Sequence, residues 1–261
     1  MTDEDSSWVP KRRIRTAVVV ALLLGVTALA GAWFSRLLLL LLLLPSLAAA
    51  ATALVMLGVR HQLSPRGGGF ERRIHALVVD RLALSERDAR SVLDVGCGDA
   101  SLLAALLDRA PTVVATGVDF WGDDWDYAQT ACEARLALRG LHATFRRMDA
   151  AHLDFAAESF DAVTSVMCFH EVRGPSGAQA PGPLLAVREA HRVLRPGGHF
   201  VFVDRFADTT DYGPPAALEA ALACTEDVQR VPLVPALRVP WPLNGWRALG
   251  PVELICGRKR P

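Results

Sequence analysis

Residues 91–100, Ser-Val-Leu-Asp-Val-Gly-Cys-Gly-Asp-Ala, hold the chain to a narrow set of folds: a short β-branched run ends in an acid and breaks into two glycines. Residues 92–95 read as a buried parallel strand. A helical pattern of Leu102, Leu103, Ala105 and Leu106 follows at once, so 96–100 is a tight strand-to-helix turn. Such a turn is a nucleotide-sized landing site, because glycine admits a ligand where a Cβ would collide and the new helix opens with unpaired N–H groups. Gly96, Cys97 and Gly98 are therefore candidate contacts. Asp94 discriminates among ligands, since a phosphate wants positive potential, whereas a carboxylate suits an ammonium group or hydroxyls. No Lys-Ser or Lys-Thr follows the turn, which removes the P-loop reading. Ala100-Ser101 stand where a dinucleotide fingerprint would continue to its third glycine.

Two uncharged runs precede this domain, over 16–34 and 37–59. At about 1.5 Å per residue each is long enough to cross a hydrocarbon core of about 30 Å. Only Ser35-Arg36 separates them, and Pro45 is expected to kink the second helix or mark its start. Lys11, Arg12, Arg13 and Arg15 lie before the first run, and Arg60, Arg66, Arg72 and Arg73 follow the second. This bias places both ends in the cytoplasm, with the chain as a multi-pass protein of an inner or plasma membrane. A competing reading makes the first run a signal peptide with an Ala28-Leu29-Ala30 cleavage site; the second span would still return the chain to the cytoplasm. The expected organisation is a basic tail (1–15), a transmembrane hairpin (16–60), a glycine-rich linker (61–70) and a catalytic or binding domain (71–261).

Within that domain a lead-in helix is expected over 71–84, a helix over 100–108, and a second strand over 112–118 ending in Asp119. An acid at this place, at the tip of the strand after the glycine turn, is where a ribose-binding carboxylate belongs; the alternative is a cap for a helix beginning near Asp123. Phe120 and Trp121 just beyond it could lie against a base or plug the sheet end. A helix over 125–139 stops at Gly140, and a third strand over 142–147 leads into Met148-Asp149-Ala150. Asp149 there is either a ligand contact or a turn acid. Residues 160–171, Phe-Asp-Ala-Val-Thr-Ser-Val-Met-Cys-Phe-His-Glu, form the fourth strand and its exit. That exit lies beside the first turn at the switch point of a doubly wound sheet. Cys168 joins the candidate ligand contacts, and His170 and Glu171 are the acid/base candidates. Residues 173–182 are a Gly- and Pro-rich loop able to close over a substrate. A helix over 183–194 then reaches Arg195-Pro196-Gly197-Gly198 and a fifth strand over 199–204.

The acid-x-Gly-x-Gly pattern of 94–98, with Ala100 in place of a last glycine, resembles the first motif of class I S-adenosylmethionine-dependent methyltransferases. Asp119, Asp149, the Phe-Asp-x-Val start at 160–163 and the 189–198 helix with its Arg-Pro-Gly-Gly turn resemble later motifs of that family, in order, over about 71–204. The resemblance implies an α/β fold with a doubly wound, mostly parallel seven-stranded sheet, and S-adenosylmethionine as cofactor. Asp94 and the Gly96–Gly98 turn would hold the methionine moiety, Asp119 the ribose hydroxyls and Asp149 the adenine. The family closes its sheet with an antiparallel pair. Residues 252–257 supply a last strand here, but 211–224 read as one short helix and 231–242 as a proline-punctuated stretch, so the penultimate strand has no evident place.

The formal net charge is +0, which gives no general reason to expect nucleic acid as a partner. The five cysteines (97, 132, 168, 224 and 256) are scattered and form no C-x-x-C pair, so neither a disulfide framework nor a zinc site is indicated. A membrane anchor biases the methyl acceptor toward a small lipid-like or hydrophobic molecule. The alternative is a membrane-tethered S-adenosylmethionine-binding module without transferase activity.

Overall fold

The computed structural model describes residues 8–31, 35–82, 91–122, 128–174 and 180–261. The chain divides into two compact units, 1–71 and 72–261.

The first unit holds helices α1 (Lys11–Gly31) and α2 (Arg36–Leu63), both long and apolar enough to cross a membrane. Leu22, Val26 and Leu29 of α1 and Leu37, Leu41 and Leu44 of α2 are exposed, as expected of helices apolar on every face. They pair antiparallel: Arg60 donates to the Val9 carbonyl, Ser46 Oγ donates to the Ala21 carbonyl at 2.7 Å, and Gly31 lies against Leu38. Pro45 does not start the second helix. It lies inside α2, whose first turn is capped by Ser35 Oγ accepting from the Leu37 N–H at 3.2 Å. Of the short connection, 32–34 lie outside the described residues.

The second unit is organised on a seven-stranded sheet in the order β3-β2-β1-β4-β5-β7-β6. The strands are β1 (Ser91–Val95), β2 (Val114–Asp119), β3 (Thr144–Arg147), β4 (Phe160–Val166), β5 (Leu194–Asp204), β6 (Thr225–Pro232) and β7 (Glu253–Lys259). β7 runs antiparallel to both β5 and β6, whereas β1 pairs in parallel with β2 and β4. The helices are α3 (Phe70–Leu82), α4 (Ser101–Arg109), α5 (Gln129–Ala137), α6 (Gly182–Val193), α7 (Thr209–Tyr212), α8 (Pro215–Ala221) and α9 (Leu233–Leu237). Val92, Leu93 and Val95 have no exposed surface, because a central parallel strand is covered on both faces. On one face α6 lays Leu184, Val187 and Ala190 over Val163, Phe200 and Phe202. Phe169 meets Phe202 edge to face at 5.2 Å, which fixes the exit of β4 against β5.

Two family-like sequence patterns acquire physical reasons here. Asp161 accepts from the Ser91 N–H at 2.8 Å and from Arg195 Nη1 at 2.6 Å, tying together the starts of β1, β4 and β5. Glu189 accepts from the Leu153 N–H at 3.0 Å, and Arg192 donates to the Leu153 and Phe155 carbonyls at 2.8 and 2.9 Å; together they clamp the chain that enters β4.

Several boundaries differ from expectation. Arg195-Pro196-Gly197-Gly198 is a bulge within β5 rather than a turn before it: Leu194 pairs with Phe160 and His199 with Ala162, on either side of the register shift. Gly197 takes φ +74, and a Cβ on Gly198 would lie 2.8 Å from the Asp161 carbonyl, so two glycines let the bulge press against β4. The penultimate strand is β6, N-terminal to most of the proline-punctuated stretch. It is an edge strand with both faces largely exposed, so it carries no apolar alternation to read. The single helix expected over 211–224 is two, α7 and α8, broken at Gly213-Pro214. The second strand starts at Val114, not 112, because the Val113 N–H closes a turn on the Ala110 carbonyl. Residues 83–90, 123–127 and 175–179 lie outside the described residues; they include the ends of the expected 71–84 and 125–139 helices and the centre of the 173–182 loop.

Candidate active site

At the carboxyl tips of β1 and β2 a closed turn brings two acids together. Gly96, Gly98 and Ala100 take φ values of +76, +55 and +65, so the third left-handed position is kept although alanine occupies it, at a strain of about 1 kcal/mol. The Gly96 and Cys97 N–H groups both donate to the Val118 carbonyl, at 2.7 and 3.0 Å. A Cβ on Gly96 would lie 2.2 Å from Cys168 Cβ, so the exit of β4 sits directly on the turn.

Asp94 is buried and accepts from Thr164 Oγ1 at 2.9 Å. Burial pushes its pKa up to about 7; the Asp119 charge adds to the rise and the Thr164 hydrogen bond opposes it. Asp119 accepts from the Gly98 N–H at 2.9 Å through Oδ2 and from the Trp121 N–H at 2.8 Å through Oδ1. Burial raises its pKa too, against those backbone donors. No lysine, arginine or histidine offsets either acid among the described residues.

The neighbouring residues fall on both sides of the expectations. Trp121 acts as the plug: its indole Nε1 donates to the Gly98 carbonyl at 2.9 Å. Phe120 is exposed, with the Arg147 guanidinium 4.9 Å above its ring. The Cys97 thiol points at Gly117 and Cys132, leaving only its backbone in the turn. The Met148 N–H donates to the Asp119 carbonyl at 3.0 Å, which sets 148–150 next to Asp119, and the Met148 and Ala150 side chains rest on the core. Asp149 is exposed and uses Oδ1 to accept from the Ala151 N–H at 2.9 Å, the geometry of a turn acid with its other oxygen open.

A second cluster lies at the tips of β4 and β5. His170 and Glu171 belong to a 3₁₀ turn, Phe169–Glu171, that follows Met167 at φ +55. His170 Nδ1 lies 2.7 Å from Asp204 Oδ1, and Nε2 lies 3.6 Å from Glu171 Oε1. Asp204 is fully buried at the end of β5 and also accepts from the Arg205 N–H at 2.7 Å. Burial works against a charged His170, but the charge and hydrogen bond of Asp204, with Glu171 behind, hold its pKa above the ordinary value. Burial and the Asp204 charge likewise push the Tyr212 phenol well up. Between the clusters sits Cys168, its thiol raised by burial and by the charges of Asp119, Asp204, Asp94 and Glu171. One cysteine thus feels the acids of both ends. Sequence reasoning missed Thr164 and Asp204 as site residues. The signal for Asp204 was present: like Asp94 and Asp119, it is an acid at the C-terminal tip of a strand.

The first cluster presents two buried carboxylates beside a glycine turn, a chemistry that suits a cationic amine and hydroxyls; the second presents an imidazole between two carboxylates, a chemistry able to take up a proton. A family model described as "Methyltransferase domain" matches residues 93–202. The chain is 35% identical to phosphatidylethanolamine N-methyltransferase of Cereibacter sphaeroides over 157 residues, 57% of this chain and 70% of that protein. It is 28% identical to ubiquinone biosynthesis O-methyltransferase of Alkalilimnicola ehrlichii over 169 residues, spanning 61% of this chain but only 58% of that relative. Its fold is similar to the crystal structure of geranyl diphosphate C-methyltransferase from Streptomyces coelicolor A3(2) in complex with Mg2+, geranyl diphosphate and S-adenosyl-L-homocysteine. The TM-score is 0.55 at 15% identity, covering 72% of this chain and 79% of that one. With the glycine turn, the strand-tip acids and the sheet order, these matches fix the family: the chain belongs to the class I S-adenosylmethionine-dependent methyltransferases, with S-adenosylmethionine as its cofactor.

Proposed function

We propose that this methyltransferase is anchored in a bilayer by α1 and α2, both chain ends in the cytoplasm, and methylates a small lipid-like acceptor with its 71–261 domain. The basic residues expected in the tail extend into α1, which begins at Lys11, and the expected linker over 61–70 is shorter, because α2 continues to Leu63 and α3 begins at Phe70. The observation that carries the donor assignment is the pair of buried carboxylates at adjacent strand tips, Asp94 and Asp119, with no cationic partner among the described residues. Such a pair fits the donor's ammonium and ribose hydroxyls and would repel a phosphate. When bound, S-adenosylmethionine supplies a methyl group on a sulfonium whose leaving sulfide needs no proton.

Asp94 holds the donor's ammonium, Asp119 the ribose, and Asp149 uses its open oxygen toward the adenine, with Gly96, Cys97 and Gly98 presenting backbone, and Phe120, Met148, Ala150 and Cys168 flanking. The chain's remaining work is to align donor and acceptor and to receive the acceptor's proton as its bond to the methyl carbon forms and the carbon–sulfur bond breaks. We assign that step to His170. With Nδ1–H donated to Asp204, a deprotonated Nε2 would be the atom to take the acceptor's proton, with Glu171 Oε1 3.6 Å from it. The lipid-like acceptor is supported by the two apolar helices and by relatives named for phosphatidylethanolamine and ubiquinone biosynthesis. The test supplies the full chain with labelled methyl donor and either bilayer-extracted lipids or soluble metabolites. Label should enter the lipid fraction and vanish with Asp94→Ala; label confined to soluble products overturns the acceptor assignment.

A further inference from the structure

The segment joining β6 to β7, residues 233–252, contributes nothing to the site described above, yet it is firmly built. Val239, Leu243 and Leu249 are buried, and the Asn244, Leu249 and Gly250 N–H groups donate to the Pro240, Leu243 and Gly245 carbonyls. From this frame Trp241 and Trp246 stand out, 72% and 58% exposed. Single exposed apolar side chains need no explanation, but two largely exposed indoles, at 241 and 246, stand in one short segment that its buried neighbours hold in place. An indole joins an apolar body to one N–H donor, the shape that settles between hydrocarbon and headgroups. Arg238 and Arg247, both exposed, flank the pair. The segment holds these two basic residues and no acid, in a chain whose formal charge sums to +0. Its position is also fixed. The Ala207 N–H donates to the Pro251 carbonyl at 3.1 Å and Asp204 pairs with Glu253, which sets the segment's end beside the proton-moving cluster. Arg73 Nη2 donates to the Leu237 carbonyl at 2.7 Å, tying its start to α3.

We propose that residues 238–247 dock on an anionic lipid surface, Trp241 and Trp246 at the headgroup boundary and Arg238 and Arg247 against the phosphates. This rests on, and deepens, the reading that α1 and α2 lie in a bilayer: docking would hold the tips of β4 and β5 at the surface from which a lipid-like acceptor is drawn. A bilayer is favoured over a protein partner because the chain's own apolar helices would supply that surface at high effective concentration.

The test reconstitutes the full chain into phosphatidylcholine vesicles with or without phosphatidylglycerol, part of the acyl chains brominated. Flotation reads anchoring, and indole quenching reads docking. The expected result is a lipid-quenched emission component that W241F/W246F removes and that phosphatidylglycerol strengthens. Each of R238Q and R247Q should lower the docked-to-undocked ratio about fivefold, and only with the anionic lipid. A chain that floats while W241F/W246F quenches as the parent does overturns docking and leaves anchoring standing. A chain that does not float overturns anchoring, and vesicles added to it decide docking by the same quenching difference. Shielded but unquenched indoles mark a protein partner and overturn the proposal.

Discussion

Asp94 and Asp204 are both buried acids toward the carboxyl ends of their strands, β1 and β5, yet their surroundings differ. Asp94 has the Thr164 hydroxyl and a second acid nearby, so its pKa rises to about 7. Asp204 has the His170 ring and the Arg205 N–H, and the consequence appears on the histidine, whose pKa rises. The same carboxylate chemistry near the ends of two strands of one sheet is thus given a hydroxyl and a second acid in one place, and an imidazole in the other. A buried acid without a cationic partner suits an external cation; one held against an imidazole is a device for setting its tautomer and basicity.

The sharpest way to break this division is to remove the histidine. His170→Ala should lower kcat about 10³-fold for an acceptor that must lose a proton, within the range for a positioned base. S-adenosylhomocysteine affinity by calorimetry should stay at the parent value. A parallel loss of donor affinity would show that the two ends are not separate.

Asp94→Asn tests the opposite end, with two effects of opposite sign. In the donor-free fold Asp94 holds its proton up to about pH 7, whereas in the unfolded chain it ionises near 3.8. Between those values the folded state binds the extra proton, so wild-type stability falls as pH rises through the window and stays low above it. The amide removes this loss, which amounts to at most about 4 kcal/mol. Denaturant unfolding at pH 8 without donor should therefore show the variant as the more stable protein. Its donor affinity should fall by about tenfold to a hundredfold, the worth of one charged hydrogen bond. A variant both less stable and tight-binding contradicts the assignment of Asp94.

Gly96→Ala probes the seam between the ends. The added Cβ meets Cys168 at 2.2 Å on a backbone at φ +76, so a destabilisation of about 3 kcal/mol is expected from overpacking and left-handed strain together. Adding Cys168→Gly should return the packing part and leave the strain part. Full recovery by the double variant would mean that the left-handed backbone costs nothing there.

The two ends also differ in how far the sequence alone discloses them. Asp94, Gly96 and Gly98 lie within one turn, and Asp119 follows at the tip of the next strand, so spacing makes them candidates and the resemblance to the family chooses between ligand contact and helix cap for Asp119. The His170–Asp204 contact joins residues 34 apart across a helix and a strand, and only the parallel pairing of β4 with β5 brings them to 2.7 Å. Thr164 is harder still: a hydroxyl inside a buried strand reads as a tolerated strand residue until β1 is laid beside it, placing it against Asp94. The same reasoning covers β6. Its exposed, charged residues follow no two-residue rhythm, and its pairing with β7 alone defines it.

The smallest effect is a displacement of a pH profile. If His170 accepts the acceptor's proton, the rate rises with pH as the ring deprotonates, with an inflection above the ordinary histidine value of 6.5 because Asp204 and Glu171 outweigh burial. Asp204→Asn takes away the larger of the raising influences and leaves burial, so the inflection should move to lower pH while the plateau falls through loss of tautomer control. Stability must move in step. A histidine with a raised folded-state pKa stabilises the fold fully below its unfolded value of 6.5, and that contribution is lost as pH rises through the folded value. The variant should therefore lose stability at pH 5 more than at pH 9, relative to wild type. A structural role for Asp204 alone predicts equal losses at both pH values and an unmoved inflection, so rate and unfolding profiles taken together separate a residue that tunes His170 from one that merely packs beneath it.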